Sequence, residues 1–117
     1  MTTTFFGAAF DARDAARLAT FWSAVLGRPV DAGATPQHAV INATAPALGP
    51  RLAFHQVPEN KTAKNRFHPD LIATDFDREV GRLRSMGATV LNEVSDGAAR
   101  WTTFADPDGN EFDLIAG

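Results

Sequence analysis

Residues 14–27 read DAARLATFWSAVLG, and residues 75–87, DFDREVGRLRSMG, repeat the same design 61 positions later. Each stretch opens with an aspartate suited to cap a helix N-terminus and closes with a glycine suited to a left-handed C-terminal residue. Large apolar side chains between them recur every three or four positions, as on the buried face of an amphipathic helix. We predict helices over 14–26 and from Asp75 to Gly87, with Asp11 as an alternative N-cap of the first.

Short apolar runs bounded by turn residues flank both helices and predict strands. In the first half they cover 5–11, 29–32, 38–43 and 51–57, and in the second half 67–74, 88–94, 99–105 and 111–115. Each half therefore consists of a strand, a helix and three strands, which indicates an internal duplication. We predict an α+β fold of two βαβββ modules, about 4–57 and 67–115, forming a curved eight-stranded mixed sheet with one helix per module. A polar linker, 58–66, joins the modules within one domain, 1–117.

Composition excludes several classes of protein. The chain has 117 residues, 44% of them hydrophobic and 21% charged, which is typical of a globular domain. It lacks cysteine, so disulfides and thiolate metal sites are excluded. The net charge of −3 argues against nucleic-acid binding, and no apolar run is long enough to span a membrane. With no signal-peptide pattern at its start, the protein is expected to be cytoplasmic.

Four motifs carry a resemblance that covers essentially the whole chain: LATFW at 18–22, HPDL at 68–71, LRSMGA at 83–88 and DPDGNEFDL at 106–114. On these motifs the chain resembles the vicinal oxygen chelate superfamily, and within it the short glyoxalase-like domains. That superfamily includes glyoxalase I, bleomycin-resistance proteins and extradiol dioxygenases. The resemblance implies a divalent metal in the cavity of a U-shaped sheet, where it binds two adjacent substrate oxygens and stabilises the charge that develops on them.

The resemblance also implies where metal ligands lie. The family places one ligand seven residues before the aspartate that starts each helix. Counted from Asp75 this position is His68, whereas counted from Asp14 it is Gly7, which has no donor side chain. The last-strand ligand, usually glutamate, corresponds to Asp113, a shorter carboxylate. The ligand set is therefore incomplete, and any metal (Zn, Ni, Fe or Mn) would be held by at most three protein groups.

The third of these groups would come from the strand at 51–57. His55 is the nearest capable residue, with Gln56 as the alternative, because a one-residue change in register moves a side chain to the other face of the sheet. Strand alternation turns His68, Asp70 and Asp113 towards the cavity if the intervening apolar residues pack beneath the helices. We assign His68 as ligand or base and Asp70 as its supporting group.

Simpler interpretations stand beside these assignments. His68 could be a cavity histidine bonded to Asp70 or Asp113, His38 lies beside a loop with no predicted role, and Lys61 is expected in a solvated linker. The resemblance implies a glyoxalase-like protein that binds or transforms a small molecule, by metal-assisted catalysis as a lyase, isomerase or dioxygenase. The alternative is a metal-free binding protein of the bleomycin-resistance type. As partners we expect a small molecule and a second copy of the chain in a homodimer, but neither nucleic acid nor membrane.

Overall fold

The computed structural model describes residues 2–42, 47 and 49–117. Within these residues the chain forms two helices and seven strands, and it divides into two compact units, Met1–Asn60 and Lys61–Gly117. The boundary falls inside the polar stretch 58–66. The predicted α+β class, with one helix in each half, is confirmed. No helix of the described part of the chain is both long and apolar enough to cross a membrane.

The first unit is a three-stranded sheet with one helix. Its elements are β1 (Gly7–Ala12), α1 (Ala15–Leu26), β2 (His38–Ile41) and β3 (Arg51–Gln56). The strand order is β1-β3-β2, with β1 parallel and β2 antiparallel to β3.

The second unit has the same plan with one more strand. Its elements are β4 (Asp70–Ala73), α2 (Phe76–Ser85), β5 (Thr89–Asp96), β6 (Ala99–Ala105) and β7 (Glu111–Ala116). The strand order is β4-β7-β6-β5, and β4 is parallel to β7. In both units the strand before the helix therefore pairs in parallel with the last strand of the unit, as expected for a duplicated module.

The strand predicted over 29–32 is absent, so the described residues form seven of the eight predicted strands, three in the sheet of the first unit and four in that of the second. The N–H of Asp31 does donate to the carbonyl of Val40 at 2.8 Å. However, Pro29 has no N–H to extend this pairing, and Gly33 turns the chain away with φ of 90°. Residue 43, the predicted end of the strand over 38–43, lies outside the described residues.

The ends of α1 follow their local signals, whereas those of α2 do so only in part. The side chain of Asp14 accepts a hydrogen bond from the N–H of Arg17 at 3.1 Å and caps α1, whereas Asp11 lies within β1, so the alternative cap is wrong. Gly27 ends α1 with φ of 64°, the left-handed conformation that a helix C-terminus favours. Helix α2 begins directly after Asp75, but the side chain of Asp75 makes no capping hydrogen bond, and the C-cap is Met86, one residue before the predicted Gly87. Acidic residues in its first turn and basic residues in its last suit the helix dipole.

Each unit has an aromatic core between its helix and one face of its sheet. In the first, the ring of Phe10 lies 5.0 Å from Trp22 and 5.2 Å from Phe54, measured between ring centres. In the second, Phe104 and Phe112 stack at 5.4 Å. All five rings are buried. The four phenylalanines lie on strands, where successive side chains alternate between the two faces of the sheet. Residues between them in sequence therefore point to the opposite face of each sheet.

Candidate metal centre

A row of polar residues crosses the sheet of the second unit on the face opposite α2. Asp113 in β7 is paired with Asp70 in β4 on one side and with Thr103 in β6 on the other. Residues paired in this way project from the same face of a sheet. The neighbouring Leu114 is buried in the core, so the alternation predicted for this strand is present in the structure.

The imidazole of His68 lies between the two carboxylates of this row. Its Nδ1 is 3.4 Å from Asp70 Oδ1 and 3.5 Å from Asp113 Oδ2. The N–H of Asp113 donates to the carbonyl of Pro69 at 3.0 Å, which holds the segment carrying His68 against β7. One potential ligand atom from each of the three residues lies within 4.8 Å of the others. One imidazole with two carboxylates is a donor set that suits a divalent ion such as Zn, Ni, Fe or Mn.

Thr103 orients Asp113 and was not identified from the sequence. Its hydroxyl donates to Asp113 Oδ1 at 2.5 Å, so the other oxygen, Oδ2, is the one that faces His68. Hydrogen bonds of this kind commonly fix the orientation of a ligating carboxylate. The hydrogen bond from Thr103 to Asp113 depends on the register in which β6 pairs with β7. No local pattern in the sequence indicates that register.

Glu111 shares its face of β7 with Asp113 but has a structural role. Its carboxylate is buried and accepts hydrogen bonds from Lys61 Nζ at 2.7 Å and from the N–H of Asn65 at 3.0 Å. The interpretation of Lys61 as part of a solvated linker is therefore wrong. Burial by itself raises the pKa of the Glu111 carboxyl, but the hydrogen bonds and the charge of Lys61 outweigh it, and the pKa lies below its ordinary value.

We expect Glu111→Gln to lower the free energy of unfolding by about 1–3 kcal/mol at pH 7, because a buried hydrogen-bonded charge pair is lost. Since the pKa is lower in the folded than in the unfolded state, this stabilisation is complete above the unfolded pKa of about 4.3 and is lost as pH falls through the folded pKa. The difference between variant and wild type should therefore shrink below about pH 4. Urea unfolding at pH 7 and about pH 3 measures it. Glu93→Gln, at an exposed position of β5, is the control, and equal effects of both variants would contradict the prediction.

The first unit has no ligand at the positions equivalent to His68 and Asp113. In the second unit, Asp113 pairs with the residue two positions after His68. In the first, the residue two positions after Gly7 is Ala9, which pairs with Ala53. The duplication therefore aligns Gly7 with His68 and Ala53 with Asp113, and neither Gly7 nor Ala53 has a donor side chain.

His55 lies on the same face as Ala53, two residues further along β3. That separation is about 7 Å along a strand. Gln56 points to the other face, and its Nε2 donates to the carbonyl of Arg13 at 2.9 Å. Between the two residues, His55 is the one on the face that carries Gly7. Its part in a metal site with His68 stays a prediction.

Comparison with known proteins agrees with this architecture. A family model described as "Glyoxalase-like domain" matches residues 7–115, nearly the whole chain. The chain belongs to the glyoxalase-like domain family. A search of curated proteins finds no match to it.

Solved structures with the fold of this glyoxalase-like domain include two fosfomycin resistance proteins. FosX from Mesorhizobium loti is 20% identical, with a TM-score of 0.75 over 100% of this chain and 94% of its own. A mutant FosX from Listeria monocytogenes, complexed with Mn(II) and 1S,2S-dihydroxypropylphosphonic acid, is 15% identical, with a TM-score of 0.77 over 100% and 92%. Lactoylglutathione lyase from Agrobacterium tumefaciens is 15% identical, with a TM-score of 0.66 over 100% and 96%. At these identities the likeness is one of fold.

The close approach of β1 and β3 leaves no space for a side chain at Gly7 of this glyoxalase-like domain. A Cβ atom added there would lie 2.1 Å from the carbonyl oxygen of Arg51, closer than Cβ atoms approach non-bonded atoms in proteins. We expect Gly7→Ala to lower the free energy of unfolding by about 1–3 kcal/mol, because the backbone of β1 must move away from β3. The same contact should prevent Gly7→His from restoring a ligand.

Gly81→Ala is the matched control for this prediction. Gly81 lies in α2, and a Cβ there meets nothing within 4 Å. Alanine should stabilise the helix by about 0.5–1 kcal/mol. Urea unfolding of both variants gives the comparison, and a Gly7→Ala protein as stable as wild type would show that the two strands do not constrain this position.

Proposed function

We propose that this glyoxalase-like domain binds a divalent metal ion through His68 and Asp113 and uses it on a small molecule with two adjacent oxygen atoms. Asp70 acts as a further ligand or as the partner that orients His68. The observation that carries the proposal is the position of His68 Nδ1 between the carboxylates of Asp70 and Asp113. The ion is Zn, Ni, Fe or Mn, and the reaction is of the lyase, isomerase or dioxygenase type.

The bound ion would supply Lewis acidity, which stabilises negative charge developing on a substrate oxygen. The two carboxylates, Asp113 and Asp70, differ in how firmly they are held. Asp113 is held by Thr103 and has a mostly buried side chain, so it is the more rigid carboxylate. Asp70 is more than half exposed and can turn between the ion and His68. With only two or three protein donors, a bound ion would keep positions open for water or substrate.

The Listeria FosX complex supports this proposal. That protein was crystallised with Mn(II) and a phosphonic acid bearing two neighbouring hydroxyl groups. Its fold matches 100% of the present chain and 92% of the FosX chain. The combination of one metal ion and a small molecule with adjacent oxygens is the chemistry that we propose for the centre at His68.

Titration of chelator-treated protein with Mn²⁺ tests the proposal. Electron paramagnetic resonance reports the loss of free Mn²⁺, and we expect one bound equivalent. Water-proton relaxation should increase on binding, because open positions on the ion exchange water. The proposal would be contradicted if His68→Ala weakened the binding of none of the four metals, or if bound Mn²⁺ did not enhance water-proton relaxation.

A metal-free binding function is the second candidate, and one observation favours it. Gly7 and Ala53 leave the first unit without a donor at either equivalent position. A binding protein of the bleomycin-resistance type needs no such ligands. If no metal binds, yet small aromatic or oxygen-rich compounds raise the melting temperature in a thermal-shift screen, this second function is supported instead.

We further propose that the protein is a homodimer, as the resemblance to small members of the superfamily implies. Light scattering over a wide range of protein concentration tests the assembly state. A mass of one chain throughout that range would contradict the dimer without affecting the metal proposal.

A further inference from the structure

Two histidines face each other across the sheet of the first unit. His38 in β2 is paired with His55 in β3. The N–H of Gln56 donates to the carbonyl of Gln37 at 3.0 Å, which makes that neighbouring pair hydrogen-bonded. In an antiparallel ladder the next pair, His38 with His55, is then a non-hydrogen-bonded one, in which opposite side chains approach most closely. The ring centres are 5.1 Å apart and the planes are tilted by 42°.

This spacing suits two imidazoles that share one metal ion. With Zn–N bonds of about 2.0–2.1 Å and tetrahedral angles, two ligating imidazoles have ring centres about 5 Å apart. The backbone of His38 is held in place, because its N–H and carbonyl both bond to Thr35. His38 also lines an open pocket of about 170 Å³, so its side chain can be reached from solvent.

A carboxylate extends the row on the same face. Asp11 in β1 pairs with His55 in β3, so Asp11, His55 and His38 follow one another across the three strands. All three residues are exposed. In the second unit, the equivalent row contains Ile72, Ile115 and Trp101. The two units therefore differ in chemistry here, and the imidazole row is particular to the first.

We propose that His38 and His55 form a second metal site, which binds one Zn²⁺, Ni²⁺ or Cu²⁺ ion through their two imidazoles, beside Asp11 in the neighbouring strand on the same face. Imidazole nitrogens favour these late divalent metals over Mn²⁺ or Mg²⁺. The site is separate from Gly7 and Ala53, the positions that correspond to the centre at His68. It assigns His55 a partner within its own sheet and does not depend on the function proposed for the second unit.

Zn²⁺ titration followed by NMR of the histidine rings tests this proposal, because the chain has three histidines and each can be followed. In the His68→Ala variant, which lacks the first centre, we expect the ring signals of His38 and His55 to shift together and saturate at one equivalent. His38→Ala and His55→Ala, each in the same background, should weaken Zn²⁺ binding at least about tenfold, since even changes outside the ligand shell cost that much. Gln37→Ala, at the exposed position next to His38, should leave the affinity unchanged.

Two results would contradict the proposed metal site at His38 and His55. One is Zn²⁺ binding that is insensitive to both single substitutions. The other is binding that requires His55 but not His38, which would place His55 in a different site. A failure of the proposed function appears separately, as binding that His68→Ala does not weaken for any of the four metals proposed for that centre, and leaves the Zn²⁺ result for His38 and His55 intact.

Discussion

Replacing His68 with alanine should weaken Mn²⁺ binding at least about tenfold, and more if His68 supplies the only nitrogen ligand. Without the imidazole, Asp70 and Asp113 alone face the ion. The free energy of unfolding should change by less than about 0.5 kcal/mol, because a partly exposed side chain outside the core contributes little to packing. Mn²⁺ titration by electron paramagnetic resonance and urea unfolding measure the two quantities.

Asn92→Ala is the matched control for this substitution. Asn92 in β5 pairs with Thr103, so it continues the polar row on the same sheet face beyond Asp113. It is exposed and lies two strands away from Asp113. Its removal should leave Mn²⁺ affinity unchanged. If His68→Ala binds Mn²⁺ as tightly as the wild type does, the centre is not where we place it.

The opposite pattern is expected for Leu83→Ala, which should lower the free energy of unfolding by about 2–5 kcal/mol. Leu83 in α2 is fully buried, and removal of its side chain leaves a cavity between the helix and the sheet of the second unit. The sheet face that carries His68 and Asp113 is the other one, so Mn²⁺ affinity of the folded variant should stay within about twofold of wild type. Denaturant titration and metal titration together give the result.

Leu91→Ala provides the same chemical change at an exposed position. Leu91 in β5 retains about half of its accessible surface, so its loss should cost less than about 0.5 kcal/mol. Comparing the two variants distinguishes the effect of a cavity in the core on stability from the effect of replacing leucine with alanine as such. Similar losses of stability in the two variants, or a parallel loss of metal affinity in Leu83→Ala, would contradict the separation of core and site.

Local sequence rules determined much of this fold. Asp14 and Gly27 bound a helix because capping and the left-handed conformation depend on residues within one turn. The alternation of Phe112 and Leu114 with Asp113 follows from the two-residue period of a strand. Strand alternation also predicted that Asp113 lies on the sheet face opposite the core, as it does in the structure. Pro29 argues locally against the strand predicted over 29–32, because proline has no N–H to donate to a neighbouring strand.

Only the tertiary structure decided which distant residues meet. The bond from Thr103 to Asp113, the ion pair of Lys61 with Glu111 and the contact of His38 with His55 join positions 10, 50 and 17 residues apart in sequence. Each depends on the register between strands or on where a polar segment folds back. Register is set by the packing of whole sheets against their helices, and a shift of one residue would separate the two pairs that join neighbouring strands. No local pattern in the sequence contains that information.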